Sequence, residues 1–364
     1  MPEIWIPYGG VETLVTIQAE NLGVVAEPTA EPVNVEADRV AELVRGTKQL
    51  FVCDGAPATM EYLKLALAAI GENQPLKIHS SAPKRVEMGI ADLKGRVTTL
   101  GPPLASEEEG TVYAPQLLEP GPKLFIGSAR PDPMFGLVDA KVEASLNWIA
   151  RSRSESAGRR EEMEPEPLRK TAAYESIEEI AGRMTDAKFI TVVPRGGRVR
   201  SAMEDPPFDA IKNAFPKIQV AQSKGMVLGA GGRGYDDDLS SVLRGVWSAI
   251  DGVRKMGTLL IIAECSEGMG STALEMLVTG RLEQGERRRK YVEGLEEVFY
   301  LNKLKEEYDV LLLSGLPETY ARSKLGFTTA KGSGEAVGRV LNKVGRTGKL
   351  NVVPRAPDCL VQSG

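Results

Sequence analysis

Buried strands alternating with amphipathic helices constrain this chain more than any other feature. "QLFVCDGAP" reads as a buried strand running into a loop, and "TMEYLKLALAAIG" follows as a helix closed by Gly71. "PLKIHSSAPKR" and "KLFIGSARPDP" repeat the strand-into-loop plan, and "DAKFITVVP" opens a second series of the same kind. In that series "SSVLRGVWSAIDGVRKMG" reads as a helix to Gly257. "TLLIIAECSEGMGS" reads as a strand with a glycine-rich loop, and "DVLLLSGLP" and "LNVVPRAP" as further strands. The alternation predicts parallel sheets covered by helices, because a parallel crossover needs a connection about the length of a helix. Such sheets present ligand sites at the carboxyl ends of their strands. The opening "EIWIPYGG" and "VETLVTIQ" breaks the rhythm and reads as two strands around a Tyr-Gly-Gly turn.

A chain of 364 residues exceeds one ordinary core, so two α/β domains are expected. The polar stretch "RSRSESAGRREEMEPEPLRK" has no apolar period and marks the approach to their boundary, which the sequence places at residues 1–182 and 183–364. The predicted architecture is therefore two domains, each a mostly parallel sheet flanked by helices. A formal net charge of −5 argues against a nucleic-acid partner, since phosphate binding wants a basic face. Three cysteines without a C-x-x-C spacing suggest neither a zinc site nor a redox pair and fit a reducing cytoplasm. No apolar run has transmembrane length, so no membrane association is expected. Glu, Lys and Arg abound while Asn, Gln and His are sparse, a balance seen in thermophile proteins.

"LGAGGRGYDDDLSSVLRG" spells G-x-G-x-x-G with Gly229, Gly231 and Gly234. A dinucleotide loop needs an acidic residue roughly 20 positions on, at the end of the next strand. Glu264, at the end of "TLLIIAEC", comes well after that. Asp236, Asp237 and Asp238 also stand at the start of the next helix, where they suit the helix dipole and would repel a pyrophosphate. A tight turn with an acidic cap, assigned to Asp236, is the preferred reading. "AECSEGMGS" brings Glu264, Cys265 and Glu267 to a strand end, where two carboxylates could move protons beside a thiol. The chain has one histidine, His79, so a Cys–His nucleophile would need that residue. Cys265 is read instead as a small packed residue.

These two loops carry a resemblance. "GGRGYDDDLSSVLRG" followed by "AIDGVRKMGTLLIIAECSEGMGS" resembles the C-terminal domain of the nickel-pincer-nucleotide-dependent lactate racemase family. That family's pattern is Gly-Gly, three residues, Asp, seven residues and Lys-Gly. Gly231, Gly232, Asp236 and Gly245 match it, with Arg244 at the lysine position. "IWIPYGGVETLVTI" and "DVLLLSGLP…LNVVPRAPDCLV" resemble the family's ends. The resemblance implies two α/β domains with an active-site-like cleft between them, in which hydroxy-acid stereoisomers are interconverted by moving a hydride to and from a nickel-bearing pyridinium cofactor. The catalytic loops of the first domain depart from it. Where the family reads Asp-His-Thr-Arg-Pro, this chain has "DGAP", Asp54 to Pro57. The second loop is "SSAPKR", with Lys84 and Arg85 but no histidine. The third is "RPDPMFGLVDAK", with Asp132 near the histidine position and Lys141 near that of the tethering lysine. The resemblance is to a divergent member lacking the catalytic histidines.

The candidate sites follow. Asp54, Asp132 and Glu267 are candidate proton-transfer groups. Arg130, Arg244, Gly231, Gly232 and Asp236 are candidate substrate-binding residues for a small carboxylate. Lys141 is the position for a cofactor tether, and no metal ligand is assigned, since nickel prefers imidazole and thiolate donors. Two functions compete: a divergent isomerase or epimerase acting on a small hydroxy acid or carboxylate, and a non-catalytic binding or regulatory protein that retains the scaffold. A nicotinamide-dependent dehydrogenase rests on the glycine spacing alone. The sequence leaves the cofactor and the oligomeric state open.

Overall fold

The structure, a computed structural model, describes residues 2–28, 37–70, 76–80, 83–90, 93, 96–99, 107–108, 111–112, 114–149, 167–282, 292–345 and 347–364. The polar stretch at 151–166 lies outside them. The chain divides into two compact units, one formed by Met1–Pro28 with Pro216–Gly364 and the other by Thr29–Phe215. The chain opens on the hairpin β1 (Glu3–Tyr8) and β2 (Val11–Thr16), followed by β3 (Leu22–Val25).

The contiguous unit contains α1 (Ala37–Val44), β4 (Gln49–Val52), α2 (Pro57–Ile70), β5 (Lys77–Ser80), α3 (Pro83–Gly89) and β6 (Val97–Thr99). The short pair β7 (Glu107–Glu108) and β8 (Thr111–Val112) follows. Then come β9 (Lys123–Ser128), β10 (Arg130–Asp132), β11 (Gly136–Val138), α4 (Ala140–Trp148), α5 (Ala172–Ala181), β12 (Ala187–Arg195), β13 (Arg198–Glu204) and α6 (Phe208–Ala214). Its six-stranded sheet runs β13-β12-β9-β4-β5-β6 and is parallel except at β13. The expected boundary after 182 is corrected here. β12 pairs in parallel with β9, from Ala187 opposite Lys123 to Val192 opposite Ser128, and those hydrogen bonds keep 183–215 in this unit.

Every residue of β4 and β9 is buried, as expected of parallel strands covered on both faces. Leu50, Val52, Leu124, Ile126, Ile190 and Val192 pack on one face with Leu63 of α2. On the other face Phe51, Phe125 and Phe189 stand in register across β4, β9 and β12, with ring centroids 4.5 and 4.7 Å apart. His79 is the next rung of that ladder: it pairs opposite Phe51 on β5, its ring centroid 4.9 Å away.

The second unit continues with β14 (Lys217–Val220), β15 (Ser223–Gly229), α7 (Leu239–Gly245), β16 (Val253–Ile262), α8 (Thr272–Val278), α9 (Leu295–Glu307), β17 (Asp309–Leu313), β18 (Thr328–Thr329), α10 (Ser333–Val344), β19 (Leu350–Val353) and β20 (Leu360–Ser363). Its sheet, β18-β17-β16-β15-β19-β3, is parallel throughout. The helix expected as far as Gly257 stops at Gly245, because two short 3₁₀ turns intervene and β16 already starts at Val253. The hairpin joins this unit because alternate residues Ile4, Ile6, Val15 and Ile17 pack with Val227, Leu260 and Ile262 of the sheet and Val337 and Val340 of α10. No helix among the described residues is long and apolar enough to cross a membrane.

Candidate functional site

Each sheet reverses its strand order once. In the contiguous unit the reversal lies between β4 and β9, since β5 and β6 extend the sheet one way and β9 and β12 the other. Ligand crevices in open α/β sheets form at such points, outside the carboxyl ends of the strands. Asp54 stands there. Its Oδ1 accepts from the Ala56 amide at 2.9 Å, and its Oδ2 from the Ser128 amide at 2.6 Å. The Ser128 hydroxyl shares a 2.6 Å hydrogen bond with Thr59. Asp54 thus ties the β4 loop to the end of β9.

Asp132 is fully buried at the β10–β11 turn, where its Oδ1 accepts from the amides of Met134 at 2.7 Å and Phe135 at 3.0 Å. Arg130 pairs with Glu143 of α4, and both side chains are largely enclosed. Lys141 Nζ lies 3.8 Å from Asp205. The α4 helix is capped by Asp139, which accepts from the Val142 amide at 2.9 Å and from the Tyr174 hydroxyl at 2.7 Å. Burial raises the Asp139 carboxyl above the ordinary carboxylate range. Sequence reading missed Asp139 and Tyr174. The D-A-K-V start of a helix after a buried strand was the available signal for the cap.

In the second unit the reversal lies between β15 and β19. The glycine loop begins there at the last residue of β15, and protein occupies the space that Gly229, Gly231 and Gly232 leave. A side chain at Gly229 would strike the Pro354 carbonyl after β19. One at Gly231 (φ +101°) would meet the Tyr235 ring at 2.9 Å, and one at Gly232 (φ +80°) would meet Pro7 at 2.8 Å. The Arg355 guanidinium donates to the Gly231 carbonyl at 3.0 Å. The glycines thus serve close backbone approach, one of the two uses that this spacing allows.

The cap of α7 is Asp238, not Asp236 as the sequence reading assigned it: Asp238 Oδ1 accepts from the Ser241 amide at 2.8 Å. Asp236 is fully buried two residues earlier, outside reach of that first turn. Its Oδ2 accepts from the amides of Gly9 at 2.8 Å and Glu264 at 3.2 Å, so it joins the hairpin turn to the end of β16. Its Oδ1 has no hydrogen-bond partner among the described residues. Burial raises its carboxyl above the ordinary range, and Asp237 and Glu264 add to the rise. Tyr8 beside it is raised by burial and by the charges of Glu264 and Asp236.

Glu264 is half-buried and accepts from the Ser266 hydroxyl at 3.1 Å; Glu267 is exposed, with its amide donating to the Asp237 carbonyl at 2.7 Å. Cys265 is buried at φ +51°, and burial with four surrounding carboxylates pushes its thiol well above the usual range. A thiol held protonated is a poor nucleophile, which agrees with its reading as a packed residue. Arg244 is buried on α7 and faces Glu297 at 3.5 Å and Glu296 at 3.9 Å, both at the start of α9.

The residues do not fit the nickel-pincer group. No group of three or more His, Cys, Asp or Glu among the described residues could hold a metal ion. The His79 ring packs tilted against Phe51, shares a 2.7 Å hydrogen bond with Thr98 through Nδ1, and is lowered in pKa by burial. The thiols of Cys53 and Cys359 are raised by burial, far from the thiolate a soft metal takes.

No protein-family model and no curated protein matches the chain. Among solved structures it is similar to the lactate racemase apoprotein from Thermoanaerobacterium thermosaccharolyticum, with 13% identity, a TM-score of 0.72, and 99% of this chain and 100% of that one covered. It is also similar to a protein from Thermotoga maritima, with 13% identity, a TM-score of 0.59, and 90% and 97% covered. At these identities the likeness is one of fold: the chain has a lactate-racemase-like α/β scaffold along nearly its whole length.

Proposed function

We propose that this lactate-racemase-like protein binds a small carboxylate and does not racemise it through a nickel-pincer nucleotide. One observation speaks against the racemase chemistry, and the exposed Arg233, which forms no ion pair among the described residues, is left to receive the carboxylate. The three basic side chains that the sequence nominates for substrate or cofactor each face a carboxylate of their own unit: Arg130 with Glu143, Lys141 with Asp205, and Arg244 with Glu296 and Glu297. A lysine tether must be a free amine, and an anion clamp must have an unspent guanidinium. Asp54 and Asp132, the nominated proton carriers of the contiguous unit, are engaged by backbone amides. A binding or regulatory protein on a retained scaffold is therefore favoured, since fold does not fix function.

A divergent isomerase is the second reading. Asp236 favours it: a fully buried carboxylate with raised pKa and an oxygen without a partner is the kind of group that proton-transfer sites contain. Elemental analysis, intact native mass and chiral chromatography after incubation with L- and D-lactate test the proposal. The expected result is nickel far below one per chain, the bare polypeptide mass and no interconversion, with calorimetric binding of at least one small carboxylate. Stoichiometric nickel with a covalent adduct on Lys141 would overturn it.

A further inference from the structure

The N-terminal turn lies between two opposite charges. A Cβ on Gly9 would run into the Glu264 carboxylate, and a Cβ on Gly10 would lie 2.5 Å from the Arg233 guanidinium. The two groups therefore rest against neighbouring Cα atoms, which a trans peptide holds about 3.8 Å apart. A side chain at either glycine would displace the group that rests there. The turn is fixed from below: the Gly9 amide donates to Asp236 at 2.8 Å, and the Gly9 carbonyl accepts from the Arg233 amide at 2.8 Å.

Although close, the two charges are not spent on charged partners. Among the described residues neither Arg233 nor Glu264 forms an ion pair; the Glu264 carboxylate accepts the Ser266 hydroxyl at 3.1 Å, and its carbonyl accepts the Gly315 amide at 2.8 Å. Arg233 is exposed and Glu264 half-buried, so both are reachable by solvent. Tyr8 is half-buried beside them. Behind the turn, Asp236 adds a buried carboxylate with an unpartnered oxygen and no cation among the groups that act on it. Arg233 follows β15, which borders the order reversal of the sheet, and Glu264 follows the adjacent strand β16, so both stand at carboxyl ends of parallel strands.

We infer that the Gly9–Gly10 turn is a receptor for a small zwitterion, an α-amino acid, whose carboxylate pairs with Arg233 and whose ammonium pairs with Glu264. An α-amino acid carries both charges on one carbon, matching a carboxylate and a guanidinium on adjacent backbone atoms. The guanidinium presents a planar fork suited to the carboxylate. The excess negative charge from Asp236 and Glu267 favours a ligand with an ammonium over one with a neutral hydroxyl. This inference rests on the reading that the scaffold binds a small carboxylate, and it selects the class within that reading.

Calorimetric titration of the full chain with alanine, lactate, propionate and propylamine tests it. Alanine is expected to bind at least tenfold more tightly than each of the others, with Arg233→Ala and Glu264→Gln each losing tenfold or more at an unchanged melting temperature. Gly10→Ala, which displaces the guanidinium, should lose affinity as well. Tighter binding of lactate or propionate would overturn the inference and leave the carboxylate reading standing. So would alanine binding that Arg233→Ala does not weaken, because that exposed side chain can be removed without unfolding the protein. Binding of none of the four would overturn both.

Discussion

Asp236 Oδ2 accepts the backbone amide of Gly9 at 2.8 Å, joining positions 227 residues apart in the sequence. The bond anchors the turn of the N-terminal hairpin to the loop after β15. Its acceptor is a buried carboxylate raised in pKa chiefly by burial. A carboxyl raised in the folded state binds its proton more tightly there than in the unfolded chain. Its contribution is most favourable at acid pH and is lost as pH rises from the ordinary carboxylate range through the raised value. Asp236→Asn keeps an amide oxygen for Gly9 and Glu264 and removes the charge. It should match or exceed the wild type in urea midpoint at pH 7 and flatten that part of the pH profile. Asp236→Ala loses both bonds and should cost about 1–3 kcal/mol. A wild type less stable than Asp236→Ala at pH 7 would refute the anchoring role.

Arg244 is expected to matter for stability. Removing it leaves Glu296 and Glu297 buried without their guanidinium. Arg244→Ala should cost about 3–5 kcal/mol, the usual consequence of breaking a buried ion pair from one side. Adding Glu296→Gln and Glu297→Gln should recover part of the loss. A double-mutant cycle by urea denaturation measures both, and additive effects would show that the groups do not interact.

The caps give a smaller and cleaner contrast. Asp238→Ala removes the Ser241 bond at the start of α7 and should cost about 0.5–2 kcal/mol. Tyr174→Phe removes the 2.7 Å bond to the buried Asp139 and should cost about 1–3 kcal/mol. Because it also deprives the ionised Asp139 of a donor, it should raise that carboxyl further, which carbon-detected NMR titration reads.

The glycine loop makes a prediction about nucleotides. Gly231 and Gly232 are occupied by Tyr235 and Pro7, so a saturating dinucleotide should leave the melting temperature unchanged. Gly231→Val should lower the melting temperature with no ligand present. A nucleotide-dependent rise in melting temperature that Gly231→Val abolishes would restore the dinucleotide reading.

The parallel sheets were legible because β4, β9, β16 and β17 are short apolar runs followed by turn residues, and local pattern marks such strands. The hairpin was legible through Tyr8, Gly9 and Gly10. Long-range pairings were not. Nothing near Arg244 announces Glu296 and Glu297, which a separate helix delivers. Three consecutive aspartates left the cap ambiguous, and it is Asp238 because only the residue at the helix boundary reaches the amide of the third helical residue, Ser241. The sequence left the lone histidine, His79, only as the partner a Cys–His nucleophile would need, whereas register makes it a neighbour of Phe51. The unit boundary escaped because β12 begins a new strand series in the sequence and yet extends the earlier sheet.

The split of one unit between residues 1–28 and 216–364 sets an order of assembly. The hairpin is synthesised before residues 29–215, but its apolar face is completed by β15, β16 and α10, which are made after them. Residues 29–215, by contrast, carry their whole core in one uninterrupted stretch and can collapse during translation, as domains generally do. Until the final strands emerge, Ile4, Ile6, Val15 and Ile17 have no sheet to cover, and closing so long a loop slows the step. Refolding should therefore show a faster phase for the inserted unit and a slower one in which the fluorescence of Trp247, buried in the divided unit, changes as residues 1–28 and 216–364 find each other.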